Sequence, residues 1–207
     1  MKIAVIGKGR VGSAIGPVIA GAGHDVVYGL RAPGDPKHAS DDGIAMLETG
    51  AAAAWADIII LAIGFDGVDA LLAEMGPITG KILIDPINPY DFANNLAPLI
   101  PADQSAARLL AAKTDARVVK ALNHVGSPVM ADAPHRAIKP LQFAASDDAE
   151  AKATVLRLLA DMGFDARDAG GLDYARELEG MARLWIAQAF GHGMAPSTAW
   201  ALVPADG

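Results

Sequence analysis

The sequence predicts an α/β protein built on a doubly wound, mostly parallel sheet with a small C-terminal helical appendage. Three observations predict it. A β-branched run at Lys2–Ile6 meets Gly7 and gives way to a small, apolar helical pattern over 10–22. Further apolar runs recur at 57–63, 81–85, 117–122 and 141–145, each bounded by turn residues and separated by enough chain for a helix or long connection. Strands alternating with connections of that length imply a largely parallel sheet.

Taken in order, the first strand (2–6) ends at a tight glycine turn, and the first helix stops at Gly23. A second strand follows at 24–28, then a polar loop over 31–42, rich in Gly and Pro, that leads into a helix through Leu47. The helix at 147–162 is marked by Asp147 and Asp148 as caps and by Val155, Leu158, Leu159 and Met162 at helical spacing. A short strand at 164–167 precedes a last helix from Leu172 to about Phe190, which carries Leu178, Met181, Leu184, Trp185 and Ala189. The division expected is a nucleotide-binding unit over 1–146 and a smaller α/β and helical region over 147–207 that closes a cleft.

Composition narrows the function. With 207 residues, 52% hydrophobic and 20% charged, the chain can bury a substantial core. Seventeen basic against twenty-four acidic residues give a net charge of −7 with no basic run, which argues against nucleic acid and anionic membrane as partners. The absence of cysteine excludes disulfides, thiolate nucleophiles and cysteine-ligated metal. The five histidines show no metal-ligand spacing, so no metal site is expected. Lys8 and Arg10 interrupt the apolar start before a signal-peptide core forms, and no run approaches a membrane span. A cytoplasmic protein is the expectation.

Gly7-Lys8-Gly9-Arg10-Val11-Gly12 spells G-x-G-x-x-G directly after a strand and at the opening of a helix. In that setting the glycines let the backbone approach a pyrophosphate held at the helix N-terminus, the arrangement of Rossmann-type dinucleotide sites. The residue ending the second strand selects the dinucleotide, because a carboxylate there suits the ribose of NAD and an arginine the 2′-phosphate of NADP. Gly29-Leu30-Arg31 stands there, with no acid, and Lys8, Arg10 and Lys37 are at hand to assist, so NADP is the expected coenzyme. At other strand ends Asn88 and Asn123 are placed either to hydrogen-bond a ribose or carboxamide or to make ordinary turns. His124 stands where a proton-transfer group would, but no catalytic acid or base is assigned.

These segments, with A-D-I-I-I-L-A-I from Ala56, I-D-P-I-N-P from Ile84, V-V-K-A-L-N from Val118, G-F-D-A-R-D-A-G and R-L-W-I-A, resemble the F420-dependent NADP reductase family over nearly the whole chain. The Rossmann-type domain of that family also occurs in membrane ferric reductases. The resemblance implies hydride transfer between NADP(H) and the deazaflavin coenzyme F420, a small-molecule partner, by direct stacking of the two rings. It implies that residues 7–12 wrap the pyrophosphate and that Arg31 takes the 2′-phosphate. It further implies that Ala62, Ile63, Asn88 and Pro89 line the path to the nicotinamide, and that Asn123 through Ser127 lie near the reacting rings.

Gly64, Pro86, His124 and a short loop after Arg31 depart from the family pattern. All but the loop fall on the side of the second substrate, so an imine or carbonyl reductase and a non-catalytic NADP-sensing module stay open as alternatives. An anionic F420 would need cations, and Lys120, Arg136, Lys139, Arg176 and Arg183 serve if they converge. The apolar C-terminal helix suggests a homodimer.

Overall fold

A computed structural model describes residues 1–203. Strand β1 (Lys2–Ile6) turns through Gly7 into α1 (Arg10–Gly21), and β2 (Asp25–Leu30) returns parallel to β1. The chain continues through β3 (Ala45–Glu48), α2 (Thr49–Trp55), β4 (Ile58–Leu61), α3 (Val68–Met75) and β5 (Ile82–Asp85). A small hairpin of β6 (Tyr90–Asp91) and β7 (Ala97–Pro98) leads to α4 (Ala106–Lys113), β8 (Arg117–Lys120) and α5 (Ser127–Asp132). Then come β9 (Leu141–Ala145), α6 (Ala149–Asp161), β10 (Asp165–Gly170) and α7 (Ala175–Gly191).

Eight strands form one sheet in the order β10-β9-β8-β5-β4-β1-β2-β3. From β3 to β8 the pairing is parallel and the order is that of a doubly wound dinucleotide fold, with its switch point between β1 and β4. The doubly wound, mostly parallel sheet is therefore present, and the exception is the β9–β10 pair, in which β9 runs antiparallel to β8 and β10 parallel to β9. The sheet continues past residue 146, since β10 pairs with β9. The last four residues of the predicted 147–207 unit lie outside the described residues.

One expectation is corrected. The helix predicted to run through Leu47 is instead strand β3, which pairs with the open edge of β2, and the helix begins only at Thr49. Ala45, Met46, Leu47 and Glu48 are all good helix formers, but weak propensity yields where an unpaired parallel edge and its backbone bonds are on offer. Gly126 caps a short helix, α5, which begins at Ser127 and carries Pro128 in its first turn, where the missing N–H costs nothing.

The core has two layers, one on each face of the sheet. Ile3 and Val5 point to one face with Ile15, Ile19 and Ile60, while Ala4 and Ile6 point to the other with Ala52, Ile59 and Leu83. This two-sided burial explains the continuous apolar runs of the central strands. Helix α7 is fastened by Trp185, whose ring fills the space a side chain at Gly126 would need and whose Nε1 donates to Thr198 O at 2.8 Å.

Candidate active site

The site is built at the ends of the paired strands β1 and β4, where the chain leaves β1 for α1 on one face of the sheet and β4 for α3 on the other. Gly7 sits at φ 98°, and a Cβ there would stand 2.6 Å from Ala62 O at the end of β4. A Cβ at Gly12 would stand 2.0 Å from Gly7 O, so the helix approaches the turn more closely than any side chain permits. A Cβ at Gly9 meets nothing within 4 Å, which leaves that position open for a ligand to approach the backbone. No side chain caps α1 and its first turn carries no acid. The first helical bond is Ser13 N–H to Gly9 O at 2.9 Å, so the preceding N–H groups lack helical acceptors. Together with the helix dipole they suit a pyrophosphate.

A cleft of about 740 Å³ opens over this turn, lined by Gly7, Gly9, Arg31, Lys37, Ile63 and Asp66. Arg31 is 64% exposed; its Nε donates to Glu74 Oε2 on α3 at 3.0 Å and lies 2.8 Å from Oε1. Its terminal nitrogens carry no partner among the described residues, which leaves that edge of the guanidinium for an anion. Lys37 is paired with Asp35 at 2.7 Å on the same loop, and Arg10 lies exposed at the start of α1. Val11 and Gly12 turn inward with the helix. The residues fit a dinucleotide phosphate.

Lys8 does not reach the cleft as a free cation. Its side chain is only 4% exposed, and Nζ donates to His38 O at 2.8 Å and to Ser40 Oγ, with Asp42 at 3.6 Å.

On the opposite side Ala62 and Ile63, half-buried at the end of β4, border the glycine turn. Asn88 and Asn123 face each other instead of standing apart. Asn88 Nδ2 donates to Asn123 O at 2.8 Å, Asn123 Nδ2 to Asn88 Oδ1 at 3.1 Å and to Leu178 O at 2.9 Å. The pair clips the ends of β5 and β8 together and docks α7 on them. Pro89 is buried beside them, Leu122 is held at φ 61°, and Ser127 begins α5. His124 is buried, with Nδ1 3.2 Å from Asn123 Oδ1 and Nε2 accepting from Phe143 N–H at 3.4 Å. Burial, helped by the Lys120 charge, pushes its pKa down to about 4, so the ring is neutral near pH 7. The neutral, sealed imidazole donates from Nδ1 to Asn123 Oδ1 and accepts at Nε2, a structural role that spends both ring nitrogens.

The five cations considered for an anionic second substrate do not converge. Lys120 is sealed in the core between Asp85 at 3.1 Å and Glu179 at 2.8 Å, and Arg136 is paired with Asp132. Only Arg176 and Arg183 share a cavity, of about 240 Å³, bordered by Pro89, Tyr90 and Glu179. The sequence carried one signal of the buried triad that its pattern alone left unread: a lysine inside the apolar run V-V-K-A-L. Glu74 and Asp42 gave none, being acids on loops and helices like many others.

The family model described as NADP oxidoreductase, coenzyme F420-dependent, matches residues 2–89. The crystal structure of a candidate F420-dependent NADP-reductase from Arthrobacter sp. FB24 superposes with a TM-score of 0.84 at 30% identity, covering 95% of this chain and 96% of that one. Metalloreductase STEAP3 of Rattus norvegicus is 27% identical over 179 residues, 86% of this chain, and this chain spans 36% of its length. An imine reductase from Aspergillus terreus in complex with NADPH4 shares the fold, with a TM-score of 0.64 at 18% identity over 92% of this chain and 62% of that one. Among the described residues no helix is long and apolar enough to cross a membrane. With the glycine turn at the switch point and a similarity that runs the length of both chains, this protein belongs to the NADP oxidoreductase, coenzyme F420-dependent family.

Proposed function

We propose that the protein transfers a hydride between NADP(H) and coenzyme F420, or a similar flavin-like acceptor, by direct contact of stacked rings. The observation that carries the reading is the cleft over the Gly7–Gly12 turn, which leads from an uncapped helix N-terminus to the free edge of Arg31. Residues 7–12 bind the pyrophosphate through backbone N–H groups and Arg31 takes the 2′-phosphate, with Lys37 and Arg10 adding charge. The dihydronicotinamide supplies the hydride, two electrons and one proton in a single unit, and solvent supplies the remaining proton. The protein contributes position: Ala62 and Ile63 on one side, and the Asn88–Asn123 clip with Pro89 and Ser127 on the other, hold the strand ends against which the rings stack. No side-chain acid or base is assigned to the step. A homodimer, covering the exposed Leu184 and Phe190 of α7, is part of the proposal.

The test follows NADPH and F420 absorbance together in a mixture of both with the protein, with NADH in parallel. Coupled loss of both signals, much faster than with NADH, is the expected result. NADPH binding without turnover on F420 rules out the deazaflavin and moves the reading to a carbonyl or imine acceptor, or to a non-catalytic sensor.

A further inference from the structure

We propose that Lys8, although it stands inside the glycine motif, is a positioning residue: a latch that holds the 31–42 loop in the shape that reads the 2′-phosphate. The inference rests on the proposed NADP site and names what sets its selectivity.

Lys8 leaves the β1–α1 turn and crosses the end of β2. Its ammonium lies over the ring of Tyr28, with Nζ 4.7 Å from the ring centroid. Beyond it Nζ meets three groups of the same loop, His38 O, Ser40 Oγ and Asp42. Two of the three ammonium donors are bonded, to His38 O and Ser40 Oγ, and the Asp42 carboxylate at 3.6 Å balances the charge, so little of it is left for a ligand. The far side of the latch is itself built in. Tyr28, fully buried on β2, donates to Asp42 Oδ2 at 3.2 Å, while Asp42 Oδ1 accepts from Ile44 N–H at 3.1 Å at the entry to β3. Burial and the Asp42 charge hold the Tyr28 hydroxyl far above its usual range, so it stays a donor. Against the cost of burial, the Ile44 N–H, Ser40 and Lys8 hold Asp42 below the usual carboxylate range.

The segment that leaves β2 at Leu30 is thus held at His38, Ser40 and Asp42 before it enters β3. Arg31, Ala32, Lys37 and His38 are the residues of that segment that line the cleft. Without the latch, 31–42 would be a polar loop over solvent, and the cations on it would have to be ordered by the ligand at the cost of its affinity. A lysine pointing at the pyrophosphate would instead act on every dinucleotide alike.

The experiment compares NADPH and NADH affinities of the wild type, Lys8→Met and Asp42→Asn, together with backbone hydrogen exchange of the ligand-free proteins. The latch predicts that Lys8→Met weakens NADPH about tenfold and NADH less than about twofold, and that exchange over 36–44 speeds up before any ligand is added. Asp42→Asn, which leaves the glycine turn untouched and carries the test if Lys8→Met does not fold, is predicted to act in the same direction. Equal losses for both nucleotides with unchanged loop exchange overturn the proposal and make Lys8 a pyrophosphate ligand. Tighter NADPH binding by Asp42→Asn overturns it too, since a released Lys8 would then be serving the phosphate directly. A wild type that binds both nucleotides equally defeats the Arg31 reading instead, and the exchange data still decide whether Lys8 orders the loop.

Discussion

Lys120 Nζ lies 2.8 Å from Glu179 Oε1, with both side chains sealed from water, and this contact joins the middle of the sheet to the C-terminal helix. Asp85 completes the group at 3.1 Å, and Ala106 N–H donates to Glu179 at 2.9 Å, so α4, α7, β5 and β8 meet at one buried charge cluster. Burial pushes the Lys120 pKa down, but Asp85 and Glu179 together lift it above the usual lysine value, and the ammonium is retained. Burial pushes Glu179 up, with Lys120 opposing. Lys120→Met leaves two buried carboxylates without a counter-charge, and we expect a loss of about 3–5 kcal/mol in stability, read from denaturant midpoints. A loss under about 1 kcal/mol would mean that the cluster is neutral or hydrated.

Arg31→Ala is expected to cost about 1.5–3 kcal/mol in NADPH binding, roughly tenfold to a hundredfold, with little change for NADH. Titration of both nucleotides against the variant checks it. Unchanged NADPH affinity would remove Arg31 from the site.

Gly9 and Gly12 should separate binding from folding. Gly9→Ala places its methyl in open space, so the melting temperature of the free protein should hold while dinucleotide affinity falls at least about tenfold, because the ligand needs that space. Gly12→Ala drives its methyl into Gly7 O and should cost about 1–3 kcal/mol in stability before any ligand is added. Thermal melts with and without NADPH distinguish the two.

His124 makes stability fall in acid. Its unfolded pKa is near 6.5 and its folded pKa about 4, so the folded state favours the neutral ring. The corresponding stability is complete above pH 6.5 and is lost as the pH drops toward 4, amounting to on the order of 3 kcal/mol. Urea unfolding at pH 7 and pH 4.5 measures it, and His124→Asn should flatten the difference. An equally steep profile in the variant would assign the acid sensitivity to other groups.

Much of this was legible in the linear chain. Strand β1, the glycine turn and α1 are local structures, set by β-branched residues, by glycine where φ is positive and by helical spacing within one stretch, and they lie where the pattern put them. The strands β4, β5, β8 and β9 were legible for a related reason, since burial on both faces writes itself as a continuous apolar run. Strand β3 was not, because Ala45–Glu48 has helical propensity and becomes a strand only beside the free edge of β2.

For the site, the sequence by itself determined the residue types and their places at strand ends: three spaced glycines, an arginine and no acid after β2, and no cysteine. Those are properties of short segments and of the order in which segments follow one another. Only the tertiary structure decided which charges are spent. It turned Lys8 onto the 31–42 loop, set Glu74 against Arg31, paired Asn88 with Asn123, and enclosed Lys120 between Asp85 and Glu179. Each of these contacts joins residues that are 30 or more positions apart. An ionic or amide side chain shows in sequence only what it can bond, and the fold alone determines which partner lies within bonding distance.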